Sequence, residues 1–203
     1  MGPKPKITHV IFDLDGILID SERINFQIYQ QFQMEEQLSV KEYCNQCNTL
    51  ADELLSKCPL CPGVMRLVQH LAKHKIEMAV CTSSGKPEFD TKMAIHTELL
   101  SLIPLIVLAG DDPEIKRGKP APDPFLATMK RFREKPDSAA NVLVFEDSAN
   151  GVRAAVAAGM QVIMVPDMSY MKPPEEVMDK IAYILKTLEE FKPESMGLPP
   201  YIS

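Results

Sequence analysis

Short, continuously apolar runs alternate with longer amphipathic ones along most of this chain. His9–Asp13, Glu77–Thr82, Leu105–Ala109, Val142–Glu146 and Val162–Val165 are rich in Val, Ile, Leu and Phe, with few polar breaks. Runs this short and this apolar read as strands buried on both faces, the habit of a parallel sheet. Between them, Gly63–His74 carries Val64, Leu67, Val68 and Leu71 at helical spacing, with Pro62 at its start. Asp123–Phe132 and Asn150–Ala158 follow the same logic. The alternation predicts an α/β fold, a doubly wound Rossmann-like parallel sheet with crossover helices.

Residues 20–62 break this rhythm. They contain two Gln- and Glu-rich helical segments, Ser21–Gln37 and Val40–Ser56, with no strand between them, and Pro59 and Pro62 close the stretch. The pattern predicts a small α-helical insertion over 20–62 and a core built from 1–19 and 63–203. No internal repeat or low-complexity tract interrupts that plan. The Pro-rich stretch from Pro193 to Ser203 reads as an irregular tail over the core.

Composition narrows the classes open to the chain. Its 203 residues, 45% apolar, allow one good-sized domain with a small insert. The net charge of −6 lacks the basic footprint of a nucleic-acid binder. No apolar run is long enough to span a bilayer. The start, Met1-Gly2-Pro3-Lys4-Pro5-Lys6, has no signal-peptide apolar region, and Lys6 stands where myristoylation wants Ser or Thr. The expectation is a cytoplasmic monomer that engages neither nucleic acid nor membrane. Five cysteines without a signal peptide suggest reduced thiols. Cys44-x-x-Cys47 and Cys58-x-x-Cys61 resemble half-sites for zinc. Their spacer is short and the first pair falls inside a predicted helix, so free thiols are the preferred reading.

The candidate chemistry lies where the strands end. Asp13 and Asp15 follow Val10-Ile11-Phe12, and Gly16 permits the tight turn they need. Asp-x-Asp-Gly alone also fits a polar turn. A calcium loop is excluded, because Ile17 stands where a third ligand should be. Thr82 ends the second strand and is followed by Ser83, Ser84 and Gly85, either to hold a phosphate or simply to cap a helix near Pro87. Lys119, between Gly118 and Pro120, could reach phosphoryl oxygens or lie exposed on a loop. Glu146 and Asp147 end the fourth strand, where paired acids suit Mg2+ or form a solvated turn. Together these groups occupy four successive strand ends on one rim, where open α/β sheets bind ligands. Asp111-Asp112-Pro113 reads as an acidic turn. His9, His70, His74 and His96 are scattered, and nothing completes a site around His70 and His74.

The set resembles the haloacid dehalogenase superfamily of phosphohydrolases. That resemblance implies a nucleophile at Asp13, a general acid/base at Asp15, a phosphate-binding hydroxyl at Thr82 with Ser83 beside it, and the third-motif lysine at Lys119. It also implies Mg2+ held by Asp13, Asp15, Glu146 and Asp147, and a small phosphorylated metabolite as substrate. Asp20-Ser21-Glu22 is similar to the cap entry of the phosphoglucomutase-like subgroup. Thr8–Asp13, Ala79–Gly85, Gly110–Glu114, Val144–Asp147, Phe191–Glu194 and Gly197–Pro199 resemble the animal pseudouridine-5′-phosphatase branch. This implies pseudouridine 5′-phosphate as first substrate, with a sugar phosphate or a 5′-nucleotide as the alternative. The departure is the cap. Its first and last helices resemble the family's, while the middle, which carries the substrate-facing loop, is missing. A catalytically weak paralogue that only binds is therefore the competing reading.

Overall fold

In the computed structural model, residues 6–32 and 40–201 are described. Six strands form one wholly parallel sheet: β1 His9–Phe12, β2 Glu77–Thr82, β3 Leu105–Leu108, β4 Val142–Glu146, β5 Gln161–Met164 and β6 Ile181–Ile184. Their spatial order is β3-β2-β1-β4-β5-β6. β1 lies between β2 and β4, with Phe12 opposite Val80 on one side and Phe145 on the other. The strand order reverses at β1 and β4, and the crevice beyond their carboxyl ends is where such sheets take ligands.

Both faces of the sheet are covered, which is why its central strands read as unbroken apolar runs. Side-chain alternation sends Val10 and Phe12 to one cluster and Ile11 to the other. The first cluster receives α3 (Val64–Lys73), α4 (Lys86–Met93) and α5 (Thr97–Leu102) through residues such as Leu67, Phe89 and Leu99. The second receives α6 (Asp123–Arg131) and α7 (Ala149–Ala157) through Phe125 and Val152. Phe145 stacks on Phe12 at 5.3 Å between centroids and meets the edge of Phe191 at 5.0 Å. The tail is thereby anchored to the core, and it carries a 3-10 turn, Pro193–Met196, with Met196 and Leu198 buried.

Two helices stand between β1 and α3. These are α1 (Ser21–Phe32) and α2 (Val40–Leu55), and they pack on each other. The remainder of the predicted Ser21–Gln37 helix lies outside the described residues. Ile24, Ile28, Leu55 and Cys58 join the main core cluster rather than forming a core of their own. The two ends of the segment are clasped. Ile19 bridges Leu60 antiparallel, Asp20 N–H donates to Pro59 O at 2.9 Å, and Cys61 N–H donates to Leu18 O at 3.0 Å.

The predicted strands and helices agree with these elements to within a residue or two. β6 and α5 have no counterpart in the sequence reading. β6 is a four-residue edge strand with Tyr183 and Ile184 exposed, so burial does not impose a period on its sequence.

Candidate active site

β1 delivers Asp13 directly into the crevice. Its N–H continues the ladder to Phe145 O at 3.0 Å, and its carboxylate is almost wholly buried. The chain then turns, with Ile19 and Leu18 N–H both returning to Leu14 O. Gly16 sits in this turn at φ +75°, and a Cβ there would lie 2.4 Å from Asp147 Oδ2. The turn therefore requires glycine for its backbone and again for its neighbour.

Lys119 comes from the loop between β3 and α6. Its Nζ donates to Asp13 Oδ1 at 2.5 Å, Glu146 Oε1 at 2.6 Å and Cys81 O at 3.2 Å. It is buried, not an exposed loop lysine, and its two carboxylates hold its pKa far above the usual lysine value against the effect of burial. The loop that carries it is tied down by polar pairs. Asp111 Oδ2 accepts from Lys86 N–H at 2.5 Å, Arg131 pairs with Asp112 and Glu114, and Arg117 pairs with Asp123. The acidic turn at 111–113 is thus a loop anchor.

Glu146 is fully buried. One carboxylate oxygen faces Lys119. The other accepts from the N–H of Asp147 and of Ser148, and from Ser148 Oγ at 3.0 Å. Ser148 Oγ in turn caps α7 by accepting from Gly151 N–H at 3.0 Å. A Cβ at Gly151 would stand 1.8 Å from the Glu146 carboxyl. Glu146 organises the loop as well as facing the site, which is more than a solvated turn requires.

Asp13, Glu146 and Asp147 each offer one oxygen, all within 4.8 Å of one another. This is the one such acidic, histidine or cysteine group among the described residues. Three carboxylates, Asp13 and Glu146 buried and Asp147 partly buried, surround one ammonium, and the imbalance shows in the acidities of Asp13 and Asp147. Burial, offset in part by Lys119 and reinforced by Glu146 and Asp15, pushes Asp13 up to about 7. Burial and then the charge of Asp13 push Asp147 up to about 9. Hard oxygen donors with surplus negative charge fit Mg2+.

The carboxylate of Asp15 points elsewhere. Its Oδ1 accepts from Ser21 Oγ at 2.5 Å and Lys92 Nζ at 2.6 Å, and its Oδ2 accepts from Ser84 Oγ at 3.2 Å. Thr82 is buried at the tip of β2, where its Oγ1 accepts from Ser84 N–H at 3.0 Å, and Ser83 beside it is exposed. A cleft of about 300 Å3 is lined by Asp13, Asp15, Thr82, Ser83, Lys119 and Asp147, with Glu22, Ser148, Asn150, Tyr170 and Met171 completing it. All the residues expected at the site except Glu146, which lies directly behind Lys119, line this cleft.

Lys92 is missing from the sequence reading. Its signal was a lysine on the buried face of α4, beside Met93 and three residues after Phe89. Among the described residues, Cys47, Cys58, Cys61 and Cys81 are free thiols. Burial raises the pKa of Cys58 to about 11 and of Cys61 to about 12, so both stay protonated. The side chain of Cys44 lies outside the described residues. His70 Nε2 meets Pro199 O and His96 Nε2 meets Cys58 O, each at 2.8 Å.

The chain is similar to known proteins along most of its length. The model of the haloacid dehalogenase-like hydrolase family matches residues 27–165. (DL)-Glycerol-3-phosphatase 2 of Arabidopsis thaliana is 35% identical, over 96% of this chain and 93% of its own. A probable pseudouridine-5′-phosphatase of Drosophila melanogaster is 37% identical, over 97% and 96%. Both alignments run to more positions, 227 and 226, than the 203 residues of this chain, so each relative carries residues that this chain lacks. In fold, the chain is similar to a family hydrolase from Deinococcus radiodurans with bound phosphate and sodium. That similarity has a TM-score of 0.75 at 18% identity and covers 98% of this chain and all of the other. The chain belongs to the haloacid dehalogenase-like hydrolases. It is a phosphatase of that family.

Proposed function

We propose that this chain is a Mg2+-dependent phosphomonoesterase that works through an aspartyl phosphate. The observation that carries the reading is the set at the sheet's switch point: a buried Asp13 on Lys119, with Glu146 and Asp147 within reach of a shared cation. Asp13 attacks phosphorus, forming a carboxylate–phosphorus bond as the ester oxygen leaves. Asp15 gives that oxygen a proton, then takes one from the water that hydrolyses the acyl phosphate and restores Asp13. Lys119, Thr82 and Ser83 hold the phosphoryl oxygens. Bound by Asp13, Asp147 and Glu146, Mg2+ would supply positive charge to a phosphoryl group that is itself anionic.

The substrate is a small phosphorylated metabolite. The likeness to the Drosophila relative supports pseudouridine 5′-phosphate as the first choice. The Arabidopsis relative supports a simple polyol phosphate as the alternative. Residues 20–62 act as a reduced cap, since their buried side chains merge with the core cluster. Release of nitrophenol from p-nitrophenyl phosphate, with Mg2+ and with chelator, tests the reading. Turnover that stops with chelator supports it. Turnover indifferent to the metal, or none under either condition, overturns it.

A further inference from the structure

Each of the two aspartates of the first motif has its own buried lysine. Lys119 serves Asp13, and Lys92 faces Asp15. Lys92 is 2% exposed, and its ammonium has three protons and three partners: Asp15 Oδ1 at 2.6 Å, Ser84 Oγ at 3.2 Å, and Glu88. Ser84 Oγ accepts from Lys92 and donates to Asp15 Oδ2 at 3.2 Å. The carboxylate is thus held at both oxygens from the core side, with Ser21 adding a third donor from the first residue of α1.

Stability alone gives little reason for this lysine. It stands beside Met93 and near Phe89 on the buried face of α4, and a buried ion pair is often replaceable by an apolar side chain without loss. A charge kept there, aimed at a carboxylate on the cleft wall, indicates a task. Resting on the phosphatase reading above, we infer that Lys92 is a positioning residue. It fixes the orientation in which Asp15 exchanges protons with the leaving group and with water, and Ser84 relays the same constraint to the second oxygen. Lys92 does not line the cleft, so it acts through Asp15 and not on the substrate.

The test is a double-mutant cycle with Lys92→Met, Asp15→Asn and the pair, assayed on p-nitrophenyl phosphate with saturating Mg2+. Proton transfer by a placed side chain contributes about a hundredfold or more, and a misdirected one forfeits much of it. Lys92→Met should therefore lower kcat by roughly tenfold to a hundredfold with KM nearly constant. Nitrophenolate needs little help to leave, so the first half-reaction should persist and appear as a burst close to the enzyme concentration before the slow steady state. On the Asp15→Asn background the same change should cost nothing further. Lys92→Arg should restore part of the rate. An equal loss on both backgrounds, or no loss in the single variant, overturns the inference. If Lys92→Met fails to fold by circular dichroism, Ser84→Ala takes its place, and an undiminished kcat there overturns it equally. An Asp15→Asn variant that turns over as fast as the unchanged enzyme would instead refute the role of Asp15 in the phosphatase reading, and the inference with it.

Discussion

At the residue scale the sharpest expectation concerns Asp13. Asp13→Asn keeps the shape and removes the nucleophilic oxygen and its charge, so turnover should vanish while the circular dichroism spectrum is unchanged. A variant retaining more than about a tenth of the rate, under ~1.4 kcal/mol of barrier, would contradict covalent catalysis. Asp147→Asn should instead raise the Mg2+ concentration needed for half-maximal rate. The buried acids also set a pH dependence. Folded Asp13 and Asp147 titrate near 7 and 9, above the ordinary carboxylate value of 3.8. Between 3.8 and those values the folded state holds more protons than the unfolded one, so their contribution to stability is complete in acid and is lost as the pH rises through 7 and 9. In chelator, Tm should fall from pH 5 to pH 9. With Mg2+ present the fall should flatten, because a cation bound to the folded state offsets the repulsion. A Tm that rises with pH in chelator would contradict this electrostatic account.

At the scale of elements, Phe145 and Gly151 are the informative positions. Phe145 lies fully buried between Phe12 and Phe191. Phe145→Ala should cost about 3–5 kcal/mol in denaturant unfolding, for lost burial plus the cavity. Gly151→Ala drives a methyl group into Glu146, and the displaced carboxylate would release Lys119. Its activity loss should exceed that of Ala155→Gly, deeper in the same helix, by at least roughly tenfold at equal foldedness. This scale also explains what could be read in advance. β1, β2 and β4 are buried on both sides, so their sequences are constrained at every position and their ends, which carry Asp13, Thr82 and Glu146, could be placed closely. β6 is an exposed edge and left little trace. The strand ends gave away the acids, and Lys119 stood out between Gly118 and Pro120 in the loop after β3, while Lys92 was hidden because a helix brings it to Asp15 from 77 residues away. A single lysine among apolar neighbours carries no partner's name in the sequence. Glu146 could be read at the end of its strand beside Asp147, but its grip on Ser148 and Lys119 is visible only in three dimensions.

At the scale of the whole molecule, the proposed function makes specificity a matter of the division between core and insertion. On that proposal the core supplies the phosphate-facing groups. Contacts with the remainder of the substrate fall to α1 and to the turn carrying Tyr170 and Met171. An insertion this short, acting as the proposed cap, provides little remote binding energy for favouring one leaving group. Across pseudouridine 5′-phosphate, UMP and glycerol 3-phosphate at saturating Mg2+, kcat/KM should vary by less than about a thousandfold, roughly 4 kcal/mol. A wider spread would mean that these few elements still read the substrate.

The clasp at Ile19 and Leu60 gives the insertion one more property. Antiparallel bridge partners lie about 5 Å apart, so the chain leaves the core and re-enters it at nearly the same point. From the core's side, whatever is threaded between those points is a closed loop, and the entropy of closing it changes only slowly with its length. The site-bearing sheet is therefore a socket. Residues between Ile28 and Leu55, whose side chains join the core, can be added or removed at small entropic cost while the ends at Ile19 and Leu60 keep their places, so the length of the insertion is separable from the geometry of the strand ends.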